Sequence, residues 1–298
     1  MTQTSELWKS LSETVFANVD DRFIACFRQP GGANSRLGCW DPVDPTMRYF
    51  KFMLYAEAKR QPDLFFSLYR QLGKVDIGSP VSVSVRSCSI NLDYLFSVLE
   101  FLFLESAIQP ASIRSVVEIG AGFGRTCHTL LALNENIESY TIVDLPNVLE
   151  LSHRVLTQVV PQHLGKVRFV DATDTSAWQG ISADLAVNID SFQEMPPVTI
   201  DSYMRGIVLN CRACYVKNPV AKYDPACIGI TIDDRTKFKD VFSLGYCRDV
   251  IDIFDDQALG RCRRSYVEAY RPASTWSVVA ERPAELFSYY HHALYRAA

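Results

Sequence analysis

The 298-residue sequence has no apolar stretch of the roughly 20 residues needed to cross a bilayer. Its most apolar run, Tyr94 to Ile108, is too short and carries Glu100 and Glu105, so it reads as a buried helix. Met1 to Ser10 lacks the charged start and apolar core of a secretory signal, and none is expected. Long basic runs are also missing and the formal net charge is -4, which argues against nucleic acid and membrane as partners. Cys211 and Cys214 form a lone CxxC with no second ligand pair, so no zinc site is expected. That pair reads as two small apolar residues on a packed helix end, ahead of a redox couple. Nine scattered cysteines, an odd number, point to reduced thiols and a cytoplasmic setting. Repeats and low-complexity segments are absent, and 48% apolar residues is the composition of a globular chain.

What is present changes character near residue 111. Before it the sequence is mainly helical. Thr46 to Arg60 has apolar residues at three- and four-residue spacing, and Pro62 opens a second helix running to about Leu72. Val81 to Val85 alternates as a short strand does, and Asn91 to Ile108 is a helix ended by Pro110. After it, strands alternate with helices. The strands are Val116–Ile119, Tyr140–Val143, Val167–Val170, Leu185–Ile189 and Ala213–Val216; the helices are Arg125–Leu133, Pro146–Val160 and Pro197–Leu209. Tyr266–Tyr270 and Trp276–Ala280 read as a hairpin, and Ala284–Tyr295 as a short helix. The expected fold class is α/β: a mainly parallel sheet with helices on both faces, an antiparallel C-terminal edge hairpin and a helical N-terminal region. The expected division is 1–110 as a helical cap on the acceptor side and 111–298 as the ligand-binding domain.

The stretch Glu118-Ile119-Gly120-Ala121-Gly122-Phe123-Gly124 follows a strand and opens a helix. Ligands of open α/β sheets bind at such strand ends, where glycines permit a tight turn and close backbone approach. A dinucleotide loop, G-x-G-x-x-G/A, would put Arg125 where a small residue is needed, and the pattern here is E-x-G-x-G-x-G. Glu118 suits a ligand with an ammonium group. Asp144, 20 residues past Gly124, ends the second strand, where a carboxylate can accept two ribose hydroxyls, with Leu145 beside it. Asp171 and Ala172 end the third strand, suited to an adenine amino group and ring nitrogen. Asn188 to Ser191 ends the fourth, beside the glycine loop. Any one of these could be a plain turn or a solvated acid; four strand ends in order carry the reading.

The glycine stretch resembles the first motif of class I methyltransferases, and the sequence as a whole resembles the bacterial sugar O-methyltransferase family. The likeness runs from about Ile77 to Val216. It includes Ile77-Gly78-Ser79-Pro80, VVEIGAGFGRT (Val116 to Thr126), TIVDLP (Thr141 to Pro146), NIDSFQEMP (Asn188 to Pro196) and YVKNP from Tyr215. It departs at Gln193, where a serine or histidine is expected near Glu194. The resemblance implies a Rossmann-like fold binding S-adenosyl-L-methionine as methyl donor. It assigns that cofactor to Glu118, Gly120, Ala121, Gly122, Gly124, Asp144, Leu145, Asp171, Ala172 and Asn188. The implied acceptor is a small molecule with a glycosyl hydroxyl. Alternatives are a phenolic or other natural-product hydroxyl, an NAD-dependent oxidoreductase (against which Arg125 argues) and a non-catalytic binding protein. A homo-oligomer is left open.

Methyl transfer from a sulfonium is an in-line displacement, helped by a base that takes the hydroxyl proton. Glu194 is the first candidate, because it follows the fourth strand, with Asp190 nearby. His128 and His153 are alternatives on helices starting near the site, although a packed histidine is the commoner state there. His291 and His292, in the tail, could reach over the pocket. A divalent metal on Asp190 and Glu194 is the second route, lacking a third ligand, so no metal site is assigned. Phe50, Phe65, Phe66 and Tyr69 could form a lid, but core packing is the better reading.

Overall fold

The computed structural model describes residues 4–28, 46–178, 180–228 and 240–298. The helices are α1 (Glu6–Thr14), α2 (Asp21–Cys26), α3 (Thr46–Arg60), α4 (Asp63–Leu72), α5 (Leu92–Ala107), α6 (Arg125–Leu133), α7 (Pro146–Val159), α8 (Thr175–Trp178), α9 (Pro197–Asn210) and α10 (Asp256–Ala269). The strands are β1 (Ser82–Val85), β2 (Cys88–Asn91), β3 (Ser115–Ile119), β4 (Ser139–Asp144), β5 (Val167–Asp171), β6 (Ala183–Ile189), β7 (Cys211–Pro219), β8 (Lys222–Tyr223), β9 (Val250–Ile251), β10 (Ser277–Pro283) and β11 (Tyr290–Arg296).

Seven strands form the main sheet in the order β10-β11-β7-β6-β3-β4-β5. From β3 the chain winds outward through β4 to β5. It then crosses back to β6 on the other side of β3 and continues to β7. These pairings are parallel; β11 alone runs against its neighbours, lying between β7 and β10. The strand order therefore reverses between β3 and β6, which opens a crevice at their carboxyl ends.

The sheet is buried on both faces, and its strands alternate between two hydrophobic clusters as their period of two requires. Val116, Tyr140, Ile142, Leu185 and Tyr215 join the face covered by α4 to α7, with Tyr94, Phe103 and Leu156. Val117, Val143, Ala186 and Val216 join the opposite face, with Phe192, Tyr203, Tyr266 and Trp276. Helix starts follow local chemistry. Asn91 accepts the Tyr94 amide at 3.1 Å to begin α5, Asp255 accepts Gln257 and Ala258 amides to begin α10, and prolines open α7 and α9. Phe65, Phe66 and Tyr69 of α4 are buried in the first cluster with Phe50 packed against it, so these aromatics are core.

The parallel strands and the antiparallel hairpin agree with the sequence reading, and the expected strand Trp276–Ala280 overlaps β10, but its partner is not Tyr266–Tyr270. Tyr266 to Ala269 form the last turn of α10, where Leu259, Cys262 and Tyr266 line one buried face at helical spacing. The hairpin pairs β10 with β11, so the expected tail helix is instead a strand in the interior of the sheet. A strand buried on both faces shows no alternation, and such a run is easily mistaken for helix. Cys211 is the C-cap of α9 and the first residue of β7, while Cys214 lies within that strand. No helix among the described residues is long and apolar enough to cross a membrane.

The Ile77–Pro80 segment is a docking turn for the end of α2. The Arg28 amide donates to Gly78 O and its guanidinium to Ile77 O, both at 2.8 Å, and Ser79 Oγ donates to Ala25 O at 2.8 Å. Gly78 has φ of +79°, and a Cβ there would lie 2.4 Å from the Phe27 ring. Gly78→Ala is therefore expected to lower stability by about 1–3 kcal/mol, measured by urea unfolding.

Candidate active site

Two cavities meet at the strand-order reversal. The first, about 730 Å³, is lined by α5 (Asp93, Phe96, Glu100), the glycine loop, Arg125 and Thr126 of α6, Lys217 of β7, and Glu285, Phe287 and Tyr290 of the C-terminal hairpin. The second, about 740 Å³, is lined by Val143, Asp144, Leu145, Ala172, Glu194, Met195, Thr199 and Tyr203, with Thr4 and Ser5 across it. Both volumes include space open to solvent. Gly120, Gly122, Ile189 and Asp190 line both.

The loop between them is set by backbone geometry. Gly120 has φ of +74°, and a Cβ there would lie 2.1 Å from Ser191 Oγ. Only glycine lets this turn close against the β6 end. The Gly122 amide donates to Asp144 Oδ2 at 3.0 Å, and the Leu145 amide to Asp144 Oδ1 at 2.8 Å. The Ala121 amide also favours the charged carboxylate, which keeps lone-pair capacity for a ligand hydroxyl. Glu118 is buried and accepts the Tyr140 hydroxyl at 2.7 Å. Burial lifts both acids, Glu118 to about 7 and Asp144 to about 7, against the hydrogen bonds that favour their charged forms.

Three buried charges brace the first cavity. Glu100 Oε1 accepts Lys217 Nζ at 2.7 Å and Arg125 Nη2 at 3.3 Å; Arg125 Nη1 lies 3.0 Å from Glu100 Oε2 as an ion pair and donates to Asp93 O at 2.9 Å. These cations hold the Glu100 carboxyl below its usual range despite its burial. Lys217 Nζ also sits 4.4 Å from the Phe96 ring centre.

At the end of β6, Asp190 adopts φ of +66°, a conformation that non-glycine residues hold only where their surroundings demand it. Its amide donates to Lys217 O at 2.8 Å, and its Oδ1 accepts Tyr290 Oη at 2.7 Å. Gln193 Nε2 donates to the same oxygen. Burial raises the Asp190 carboxyl above its ordinary value.

The residues singled out from sequence fall into two groups. Glu118 and Ala121 line the first cavity, Asp144, Leu145, Ala172 and Glu194 the second, and Gly120, Gly122 and Asp190 both. Seven others line neither. Gly124 caps α6, and Asp171 Oδ1 accepts the amide and hydroxyl of Thr173 in its own turn. Asn188 is buried, donating to Ile119 O at 3.0 Å and accepting Asn218 Nδ2 at 2.9 Å. His128 is fully buried, with Nδ1 bonded to Tyr94 Oη at 2.6 Å and Nε2 to Leu72 O at 3.0 Å. Burial pushes it down to about 4, so His128 is a core histidine and not a base facing the site. His153 packs edge-on to Phe169. His291 and His292 lie buried in β11, paired with Glu281 and Tyr215, and do not reach over a pocket.

Asp93, Phe96, Glu100, Lys217, Glu285, Phe287 and Tyr290 were not singled out as site residues. Two carried a signal: Glu100 is an acid inside the most apolar helix, and Lys217 a cation inside a buried strand. Among the described residues no group of three His, Cys, Asp or Glu side chains is placed to hold a metal ion.

The donor set fits S-adenosyl-L-methionine. Asp144 suits ribose hydroxyls, apolar Leu145, Met195 and Tyr203 suit an adenine ring, and Glu118 with Arg125 and Lys217 offers opposite charges to an amino-acid end. No known family profile and no curated protein matches the chain. Solved structures do resemble it. A mitomycin 7-O-methyltransferase is 14% identical with a TM-score of 0.48, covering 96% of this chain and 75% of that one. An O-methyltransferase of neocarzinostatin biosynthesis, solved with S-adenosyl-L-homocysteine and 1,4-dihydroxy-2-naphthoic acid, is 17% identical with a TM-score of 0.42 and covers 69% of this chain. An N,N-8-amino-8-demethyl-D-riboflavin dimethyltransferase from Streptomyces davawensis is 13% identical with a TM-score of 0.44 and also covers 69% of this chain. This chain spans 57% of the length of each of the latter two. The fold assignment rests on the strand order and connections described above.

The raised carboxyls have a consequence for stability. Between the ordinary carboxyl range and pH 7, the folded protein keeps protons on Glu118 and Asp144 that the unfolded chain releases. Their contribution is complete below that range and is lost as pH rises to about 7. Without ligand, the thermal midpoint is expected to fall between pH 5 and 7.5, with Glu118→Gln flattening the slope. The part due to one carboxyl is on the order of 3 kcal/mol.

Proposed function

We propose that this protein is an S-adenosyl-L-methionine-dependent O-methyltransferase acting on the hydroxyl of a small molecule. The observation that carries the reading is the joining of Gly122 to Asp144 at 3.0 Å beside the strand-order reversal, with two cavities meeting at Asp190. A nucleoside sugar is held where the second cavity begins, and the acceptor enters the first. An NAD-dependent reading fits less well, because Arg125 is locked to Glu100 where a dinucleotide loop needs a small residue.

The cofactor supplies a methyl group already activated on a sulfonium. Asp144 accepts the ribose hydroxyls, Leu145, Met195 and Tyr203 enclose the base, and Ala172 borders it. Glu118 receives the ammonium, and Arg125 and Lys217 face the carboxylate. Phe96, Phe287 and Tyr290 wall the acceptor, excluding water and aligning its hydroxyl. The base is Asp190 in preference to Glu194. Asp190 borders both cavities, whereas Glu194 lies with the residues around the nucleoside. A buried carboxylate with a raised proton affinity is suited to this step. The finer reading is a glycosyl hydroxyl. Aromatic walls beside carboxylates suit a sugar's apolar face and hydroxyls, and the same walls suit a phenolic natural product.

Calorimetry should detect binding of S-adenosyl-L-homocysteine, with Asp144→Ala weakening it by at least about tenfold. Binding of NAD instead would overturn the proposal. In a screen of sugar and phenolic acceptors with radiolabelled cofactor, Asp190→Asn should slow transfer by about 100-fold or more with S-adenosyl-L-homocysteine affinity nearly unchanged. Glu194→Gln should have the smaller effect; the reverse order would move the base to Glu194.

A further inference from the structure

The hydroxyl of Tyr290 has no place in the scheme above beyond walling the acceptor, yet it makes a specific contact. It donates to Asp190 Oδ1 at 2.7 Å. Gln193 Nε2 donates to the same oxygen and reaches Tyr290 Oη at 3.4 Å. Two side chains thus converge on one oxygen of Asp190, which follows the β6 end: Gln193 from the turn after it and Tyr290 from the start of β11. Asp190 Oδ2 takes no side-chain hydrogen bond from the described residues. The arrangement is held from behind. Tyr290 pairs with Pro219 of β7 in the sheet register, and its amide donates to Phe287 O at 2.9 Å. Lys222 Nζ donates to Gln193 O at 2.9 Å, and the Asp190 amide donates to Lys217 O at 2.8 Å. These bonds surround the left-handed backbone of Asp190.

We propose that Tyr290, assisted by Gln193, is the positioning residue of the base, binding one oxygen of the Asp190 carboxylate so that the other is presented to the acceptor hydroxyl. The inference rests on the reading of Asp190 as base. In that step Asp190 takes the acceptor proton while the acceptor oxygen bonds to the methyl carbon. The carbon–sulfur pair stays with sulfur, which becomes a neutral thioether. The positive charge of the sulfonium and the negative charge of the carboxylate disappear together. Tyr290 keeps its own proton throughout and acts by orientation and by stabilising the charged carboxylate before transfer.

The charged groups facing Asp190 are Lys217 from β7, Arg125 from α6 and Lys222 from β8, and Tyr290 from β11 adds a neutral donor. All four favour the charged form and burial opposes it, so removing one donor must raise the proton affinity of Asp190. The test follows the Asp190 carboxyl carbon by NMR in protein labelled with carbon-13 aspartate, the signal being assigned by its loss in Asp190→Asn. In Tyr290→Phe the titration midpoint should move up by about one pH unit, a tenfold rise in proton affinity. Gln193→Leu should move it in the same direction by less. S-adenosyl-L-homocysteine affinity should stay within about twofold of wild type. With an acceptor found in the screen, kcat should fall, KM should hold, and the acid limb of the rate profile should shift upward with the NMR midpoint. A midpoint unmoved in both variants overturns the proposal. So does a tenfold loss of S-adenosyl-L-homocysteine affinity in Tyr290→Phe without a shift, since Tyr290 would then only shape the pocket. If Tyr290→Phe fails to fold, Gln193→Leu alone decides by the same shift. Failure of the wild-type protein to bind S-adenosyl-L-homocysteine would sink the methyltransferase reading and leave the titration shifts standing, so the two failures are distinguishable.

Discussion

The hydrogen bond from the Gly122 amide to the Asp144 carboxylate joins two strands' loops into one wall. β3 and β4 are neighbours in the sheet, and the loop leaving the first is drawn onto the acid ending the second. That bond adds to the Gly120 amide's bond to Val143 O at 2.9 Å and the Gly124 amide's bond to Ala121 O at 3.0 Å, which close the turn itself. A buried carboxylate is costly unless its lone pairs are met, and backbone amides meet them here. The loop is thus positioned by the acid that a ligand would also use. Binding a hydroxyl there adds to an existing arrangement and does not have to create it.

The charge cluster of Glu100, Arg125 and Lys217 does for the other cavity what Asp144 does for its own. It ties α5 to the start of α6 and the end of β7, three elements that no backbone hydrogen bonding connects. Desolvating three charges is expensive, and a packed apolar trio could hold the same helices together. Their retention at a cavity wall, with Asp190 and Tyr290 opposite, gives this side of the crevice a fixed polarity. α5, which on composition alone is a core helix, is therefore also a wall of the site.

Much of the fold was legible because its signals are local. The β-branched runs, the glycine loop and Asp144 depend on residues within one strand and its turn, and the structure has them where sequence put them. The first expected hairpin strand was misplaced because Tyr266 and Val267 favour strands in isolation, whereas the Asp255 cap and the buried face of Leu259, Cys262 and Tyr266 make helix. His128 stands one turn into a helix leaving the glycine loop, but its ring faces Tyr94 and Leu72, on the side away from the crevice. That orientation is decided by α4 and α5, which sequence proximity does not disclose. Tyr290 and Phe287 escaped notice for the same reason: they are distant in sequence from every motif. Asp171 and Asn188 both end strands as expected, and one bonds within its own turn through Oδ1 while the other bonds neighbouring strands.

The strand β11 comes after β10 in the chain but lies inside it in the sheet. Neither edge of the gap between β7 and β10 can be satisfied until that segment arrives, because both pair with it and not with each other. Phe287 and Tyr290, which line the first cavity, come to it with this strand and the turn before it, whereas the lining of the second cavity all precedes them in the chain. Closure of the first cavity thereby depends on a strand inserted between two others, so a change that loosens β11 in the sheet reaches the cavity wall directly.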